Sequence, residues 1–111
     1  MDMNIKKEEI QSKSIKITVH KAGKEAGRVF LQFVVNDLHE NPYGVMEDLF
    51  VHEEFRRQGF SKVLIEKVIE SAKEHGCHKL IINSRLGRDK LHAYYKRFGF
   101  QEHGKEFRID F

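Results

Sequence analysis

Val51-His52-Glu53-Glu54-Phe55-Arg56-Arg57-Gln58-Gly59-Phe60-Ser61 is the stretch on which the fold turns. Before it, residues 45–51 have the apolar, β-branched composition of a strand. After it, Phe60, Leu64, Val68 and Ala72 recur at every fourth position, joined by Val63, Ile65 and Ile69. Lys62, Glu66, Lys67, Glu70, Lys73 and Glu74 fill the polar positions, so the spacing predicts a long amphipathic helix opening at Gly59. Strand, basic turn, glycine and helix start follow one another. The unpaired N–H groups and positive dipole end of a helix start attract an anion, and glycine lets that anion approach the backbone. Neither Gly-Lys-Ser/Thr nor the three-glycine dinucleotide spacing occurs, so the turn is neither a Walker loop nor a dinucleotide fingerprint.

Working toward the N-terminus, Ile15, Ile17 and Val19 alternate with Lys16, Thr18 and His20, the period of a half-buried strand. A turn is expected over residues 22–27, a second strand over 28–35, and a loop over 36–44 before the strand at 45–51. Toward the C-terminus, Gly76 stops the helix and residues 79–83 form a short apolar strand, so strand, helix and strand make a parallel crossover. Residues 89–97 read as a short helix ended by Gly99, and residues 100–111 as one or two terminal strands. The result is an α+β domain with a mixed β-sheet over residues 14–111, behind a polar leader or edge strand at residues 1–13.

The 111 residues hold a single core's worth of chain, 40% hydrophobic with nine Phe and no Trp, which excludes a multidomain machine and global disorder. No stretch is long and apolar enough for a membrane span and no secretory leader is recognisable, so a cytoplasmic protein without a membrane partner is expected. The lone Cys77 fits a reducing compartment. Residues 1–55 carry 7 Lys/Arg against 10 Asp/Glu, whereas residues 56–111 carry 13 against 7. The basic half suits an anion, or else is an unevenly charged solvated surface. His75-Gly76-Cys77-His78 has neither zinc-finger nor metalloprotease spacing, so no metal site is expected.

Arg56-x-x-Gly59-x-Ser61 at this junction resembles the Q/R-x-x-G-x-G/A pyrophosphate loop of the GNAT-type N-acetyltransferases. Arg88-x-x-Leu91-His92-x-Tyr94-Tyr95-Lys96-Arg97-Phe98-Gly99-Phe100 is similar to the later motif of the same family, a tyrosine on a short helix before Gly-Phe. The resemblance implies an acyl-CoA N-acyltransferase sheet trimmed at its N-terminus, with the first helices absent and the acceptor half reduced. It implies acetyl-CoA lying in a V-shaped cleft between the strands at 45–51 and 79–83. Backbone groups of Leu49, Phe50 and Val51 would face the pantetheine arm, and Arg56, Arg57, Gln58, Gly59, Phe60, Ser61 and Lys62 would surround the pyrophosphate. Asn83 and Arg88 join the same cofactor set, and Ser61 stands where the family prefers Gly or Ala.

An amine of pKa about 10 must lose a proton before acylation is complete, so a carboxylate near the thioester is needed. Glu47 is the first candidate base and Asp48 the second, by analogy with an acidic pair on the equivalent strand of family members that acetylate polyamines and amino-sugar phosphates. Strand alternation puts these two on opposite faces, so only one of them points at a given site. The other reading is that both are solvent-facing or ion-paired strand residues. The resemblance makes Tyr95 the acid that protonates the departing CoA thiolate, whereas Tyr94 reads as a core tyrosine with a satisfied hydroxyl.

The implied activity is acetyl transfer from acetyl-CoA to a primary amine in a ternary complex, with no metal and no acyl-enzyme. The expected partners are therefore acetyl-CoA and an amine acceptor, and a homodimer would supply the wall that the trimmed acceptor half lacks. The alternative is a non-catalytic module that kept the fold and binds CoA, RNA or another polyanion through its basic half. No recognised RNA-binding motif supports it, and nucleic acid is not the expected partner.

Overall fold

A computed structural model describes residues 3–111; residues 1 and 2 of the expected leader lie outside the described residues. Strands β1 (Ser14–Lys21), β2 (Lys24–Val34) and β3 (Tyr43–Val51) are followed by a 3-10 turn (Glu53–Phe55) and helix α1 (Phe60–Glu74). Strand β4 (Leu80–Ile82) and helix α2 (Asp89–Lys96) complete the regular structure. The sheet is four-stranded in the order β1-β2-β3-β4. β2 runs antiparallel to β1 and to β3, while β4 returns parallel to β3 through the α1 crossover. The mixed α+β sheet read from the sequence is the one that forms.

Strand alternation assigns the two faces. Val29, Leu31 and Phe33 of β2 and Met46 of β3 meet Leu64, Ile65, Val68 and Ala72 of α1 in one core. Each fully buried Leu, Ile or Val there contributes roughly 1.5–3 kcal/mol. Tyr94, Tyr95, Phe98 and Phe100 pack against the same core, so α2 and α1 cover one face together. On the other face Lys16 lies over the Phe30 ring at 5.8 Å and Arg28 over Phe50 at 5.0 Å.

Two glycines do work that their sequence context does not suggest. The first hairpin turns on Ala22 and Gly23 alone, with φ of 52° and 79°, the left-handed pair that matches strand twist. The expected turn over 22–27 is therefore too long, and Gly27 lies inside β2. A Cβ on Gly27 would sit 2.8 Å from the Phe50 carbonyl oxygen and 3.1 Å from Leu64. Gly44, expected in a loop, is in β3, where a Cβ would come within 2.9 Å of Leu31 and 3.1 Å of Leu80. Both glycines mark close packing rather than a bend.

The terminal strands expected over residues 100–111 do not form: residues 101–111 are exposed and carry no helix or strand. A strand exists only as a partner in a ladder, and no strand among the described residues runs beside them. The alternation behind the expectation is real, since Phe107, Ile109 and Phe111 share one parity while Arg108 and Asp110 pair at 2.9 Å on the other. Residues 3–13 are likewise exposed and irregular. These two segments account for a radius of gyration of 16.9 Å, against roughly 13 Å for a globule of this length.

Candidate active site

A bulge in β3 builds the first wall of the site. Arg28 pairs with Phe50 and Phe30 with Glu47, so the single residue Val29 faces both Asp48 and Leu49. Asp48 takes the extra turn with φ of 54°, a conformation that Asp tolerates better than most residues bearing a Cβ. Two consequences follow. Alternation is broken, so Glu47 and Asp48 are both exposed and line the same cavity, which corrects the expectation that they occupy opposite faces. The bulge also bends β3, and β4 pairs with it only from Gly44 to Met46.

Beyond Met46 the two parallel strands part around a cavity of about 370 Å³. Met46, Glu47, Asp48 and Leu49 line one side, with Ile82, Asn83, Ser84 and Arg85 on the other. Arg88, Leu91 and Tyr95 close it from the α2 side, and Glu106 reaches it from the C-terminal segment. His92 Nε2 lies 3.0 Å from Ser84 Oγ, bracing α2 against the segment that follows β4. Burial raises the Tyr95 pKa, an effect that Arg88 partly offsets and Tyr94 reinforces. The Tyr95 hydroxyl therefore stays protonated at neutral pH and can act as a donor.

The turn into α1 forms the second part of the site. Arg57 and Gly59 are both left-handed, with φ of 66° and 84°, and they curl the chain around Gln58. Lys21 Nζ donates to Gln58 Oε1 at 2.7 Å, tying this turn to the end of β1. The Val63 N–H donates to the Gly59 carbonyl at 3.2 Å, the first bond of the helix. The N–H groups of Phe60, Ser61 and Lys62 therefore have no carbonyl of their own helix to bond, at the positive end of a 15-residue helix. Ser61 Oγ and the Tyr94 hydroxyl lie 2.7 Å apart.

The structure gathers Glu47, Asp48, Leu49, Asn83, Arg88 and Tyr95 around the cavity. Arg56, Arg57, Gln58, Gly59, Phe60, Ser61 and Lys62 form the adjoining turn and helix start. Phe50 and Val51 lie on β3 between these two groups and do not line the cavity. Arg56, although exposed, folds back along β3: its Nε donates to the Val51 carbonyl at 2.9 Å and its guanidinium lies 5.5 Å from the Phe50 ring. Met46, Ile82, Ser84, Leu91 and Glu106 line the cavity without having been singled out from the sequence. The first four follow once the strand ends and the α2 face are known, whereas nothing local marks Glu106.

The His75–His78 stretch is structural. His75 Nδ1 lies 2.7 Å from the Ser71 carbonyl, and Cys77 packs against the core with its thiol pKa raised by burial. Among the described residues no group of three or more His, Cys, Asp or Glu is placed to hold a metal ion, and no helix is long and apolar enough to cross a membrane.

Comparison with known proteins places this geometry in a family. The model of the acetyltransferase (GNAT) family matches residues 17–100. Glucosamine 6-phosphate N-acetyltransferase of Trypanosoma brucei brucei is 33% identical over 67 residues, covering 60% of this chain and 44% of the relative. An aminoglycoside N(6')-acetyltransferase type 1 of Serratia marcescens is 35% identical over 71 residues, covering 61% of this chain and 47% of the relative. The chain thus spans less than half the length of these curated relatives. Among solved structures, a Trypanosoma brucei acetyltransferase superposes with a TM-score of 0.79 at 26% identity, over 88% of this chain and 69% of the other. Glucosamine-6-phosphate N-acetyltransferase from Arabidopsis thaliana shares the fold, with a TM-score of 0.79 at 20% identity over 88% and 67% of the two chains. With the family model matching most of its length and the same fold in these neighbours, the chain belongs to the GNAT acetyltransferase family.

Proposed function

We propose that this protein is an acetyl-CoA-dependent N-acetyltransferase that acetylates a primary amine by direct attack in a ternary complex. The observation that carries the proposal is the parting of β3 and β4 beyond Met46, with two carboxylates on one wall and Tyr95 on another. The chain fits the cofactor at two points. The unpaired amides of Phe60, Ser61 and Lys62 suit a diphosphate, and the edge of β3 beyond its pairing with β4 is free to meet an extended pantetheine arm. Acetyl-CoA, when bound, supplies an acetyl group activated as a thioester.

The residues of this chain do the rest. The cleft holds the amine against the acyl carbon, which replaces a bimolecular encounter by a positioned one. Glu47, or Asp48 beside it on the same side of the cavity, takes the proton that the amine loses. Tyr95, kept neutral by its surroundings, gives a proton to the sulfur as the thiol leaves. Backbone N–H groups of β3 stabilise the carbonyl oxygen as charge builds on it. Glu106 adds a third carboxylate and favours a cationic acceptor, while Arg85 and Arg88 suit an anionic group on the acceptor or the nucleotide. A cytoplasmic homodimer completes the proposal.

The test combines binding with turnover. Acetyl-CoA should raise the melting temperature and CoA should compete with it. Release of free thiol should require both protein and an amine, drawn from amino sugars, aminoglycosides, polyamines and peptide N-termini. Failure to bind either nucleotide at millimolar concentration would overturn the proposal.

A further inference from the structure

The pair formed by Ser61 Oγ and the Tyr94 hydroxyl, 2.7 Å apart and partly buried, joins positions 33 residues apart in sequence. Among the described residues it is the one side-chain hydrogen bond between α1 and α2. Tyr94 is held for the purpose: its ring packs edge-on against Phe98 at 5.1 Å, with the Arg97 guanidinium 5.6 Å from its centre. The hydroxyl therefore arrives at Ser61 from a fixed direction.

Two hydroxyls carry two protons, and a single hydrogen bond between them uses one. A phenol is far more acidic than an alcohol, so the favoured arrangement has Tyr94 donating and Ser61 accepting. The Ser61 proton is then left over, in the first turn of α1 beside the amides of Phe60, Ser61 and Lys62. An anion seated on those amides can accept a hydrogen bond from the Ser61 hydroxyl, and each bond in the chain from Tyr94 to Ser61 to anion polarises the next. Without the phenol, the Ser61 hydroxyl rotates freely and has no fixed donor direction.

We propose that Tyr94 is a positioning residue for cofactor binding: it fixes Ser61 as a hydroxyl donor to the diphosphate of CoA and so couples the anion turn to the helix that carries Tyr95. The inference rests on the acetyl-CoA reading above, and it assigns to Ser61 and Tyr94 a function that neither has as a packing residue.

The test compares the wild type, Ser61→Ala, Tyr94→Phe and the double variant, titrated with CoA and with pantetheine, which lacks the diphosphate. Loss of a hydroxyl hydrogen bond to a charged group should weaken CoA binding about tenfold in Ser61→Ala, and Tyr94→Phe should weaken it roughly threefold. The double variant should be no weaker than Ser61→Ala, because Tyr94 acts through Ser61. Pantetheine binding should stay within about twofold in all four proteins, because pantetheine lacks the group that the Ser61 hydroxyl is held to meet. Equal losses toward CoA and pantetheine would reduce the pair to a packing contact and overturn the inference, as would wild-type CoA affinity in Tyr94→Phe. A wild-type protein that binds no CoA refutes the acetyl-CoA reading itself. One that binds CoA while Tyr94→Phe is unchanged refutes only the inference.

Discussion

Replacing Gly59 by Ala tests the turn that begins α1. A Cβ at this position meets nothing within 4 Å, so steric clash contributes nothing and the whole effect comes from φ of 84°. Holding an alanine left-handed costs about 1–2 kcal/mol, and the stiffer unfolded chain adds a destabilisation of the unfolded state worth about 0.4–1 kcal/mol in the opposite direction. The net loss is about 1 kcal/mol, which lowers the melting temperature of a domain this size by roughly 4–8 °C. If the alanine instead relaxes to negative φ, the amides of Phe60, Ser61 and Lys62 swing away from their common direction. Losing one charge-assisted bond there should weaken CoA binding about tenfold. Thermal unfolding with and without CoA separates the two effects. Gly104→Ala is the control, since that glycine is exposed, has nothing within 4 Å and is not left-handed. Equal melting temperatures and CoA affinities in Gly59→Ala and the wild type would refute the reasoning.

Other expectations follow from the same geometry. Gly27→Ala forces a Cβ to 2.8 Å from the Phe50 carbonyl oxygen and should destabilise by about 1–3 kcal/mol in chemical denaturation, with the midpoint shifted and the slope unchanged. Glu47→Gln and Asp48→Asn should each lower kcat with little change in CoA affinity, because both acids border one cavity; the larger loss in steady-state kinetics identifies the base. Tyr95→Phe should lower kcat about tenfold to a hundredfold. Because burial raises the Tyr95 pKa, its donor function should persist beyond the ordinary tyrosine value in a rate–pH profile. Its contribution to stability is complete below that ordinary value and is lost as pH rises through the folded-state value. Glu25 has the opposite sign: the His52 hydrogen bond lowers its pKa, so its contribution is present above the ordinary carboxylate range and is lost as pH falls through the folded value. Glu25→Gln should therefore flatten the acid side of the stability profile.

The readable parts of the molecule were those whose causes are local and periodic. The repeat from Phe60 to Ala72 specifies α1 and its buried stripe, and the anion turn announces itself by Arg56, Arg57 and Gly59 just ahead of that repeat. The crossover to β4 follows from Gly76 and a short apolar run. Glycine was ambiguous, because the residue serves both bends and close approaches: Gly27 and Gly44 look like turn markers and are packing positions. The bulge was hidden for a related reason. Nothing in Glu47-Asp48-Leu49 signals that Val29 on the neighbouring strand faces two residues, and without that the acids fall on opposite sides. Glu106 and the irregular C-terminal segment depend on which ladders the rest of the chain leaves open, information that a local pattern does not carry. The Ser61–Tyr94 bond is likewise a contact between distant residues, visible only once α2 is placed against α1.

The most direct test of the central claim follows isotope-labelled acetyl-CoA incubated with the protein and a panel of amines. The cleft between β3 and β4 predicts that label moves to an amine nitrogen with stoichiometric release of CoA thiol. It further predicts that this transfer falls sharply in a Glu47→Gln, Asp48→Asn double variant that still binds CoA. Label that stays on CoA with every amine, although the protein binds CoA, would contradict the account.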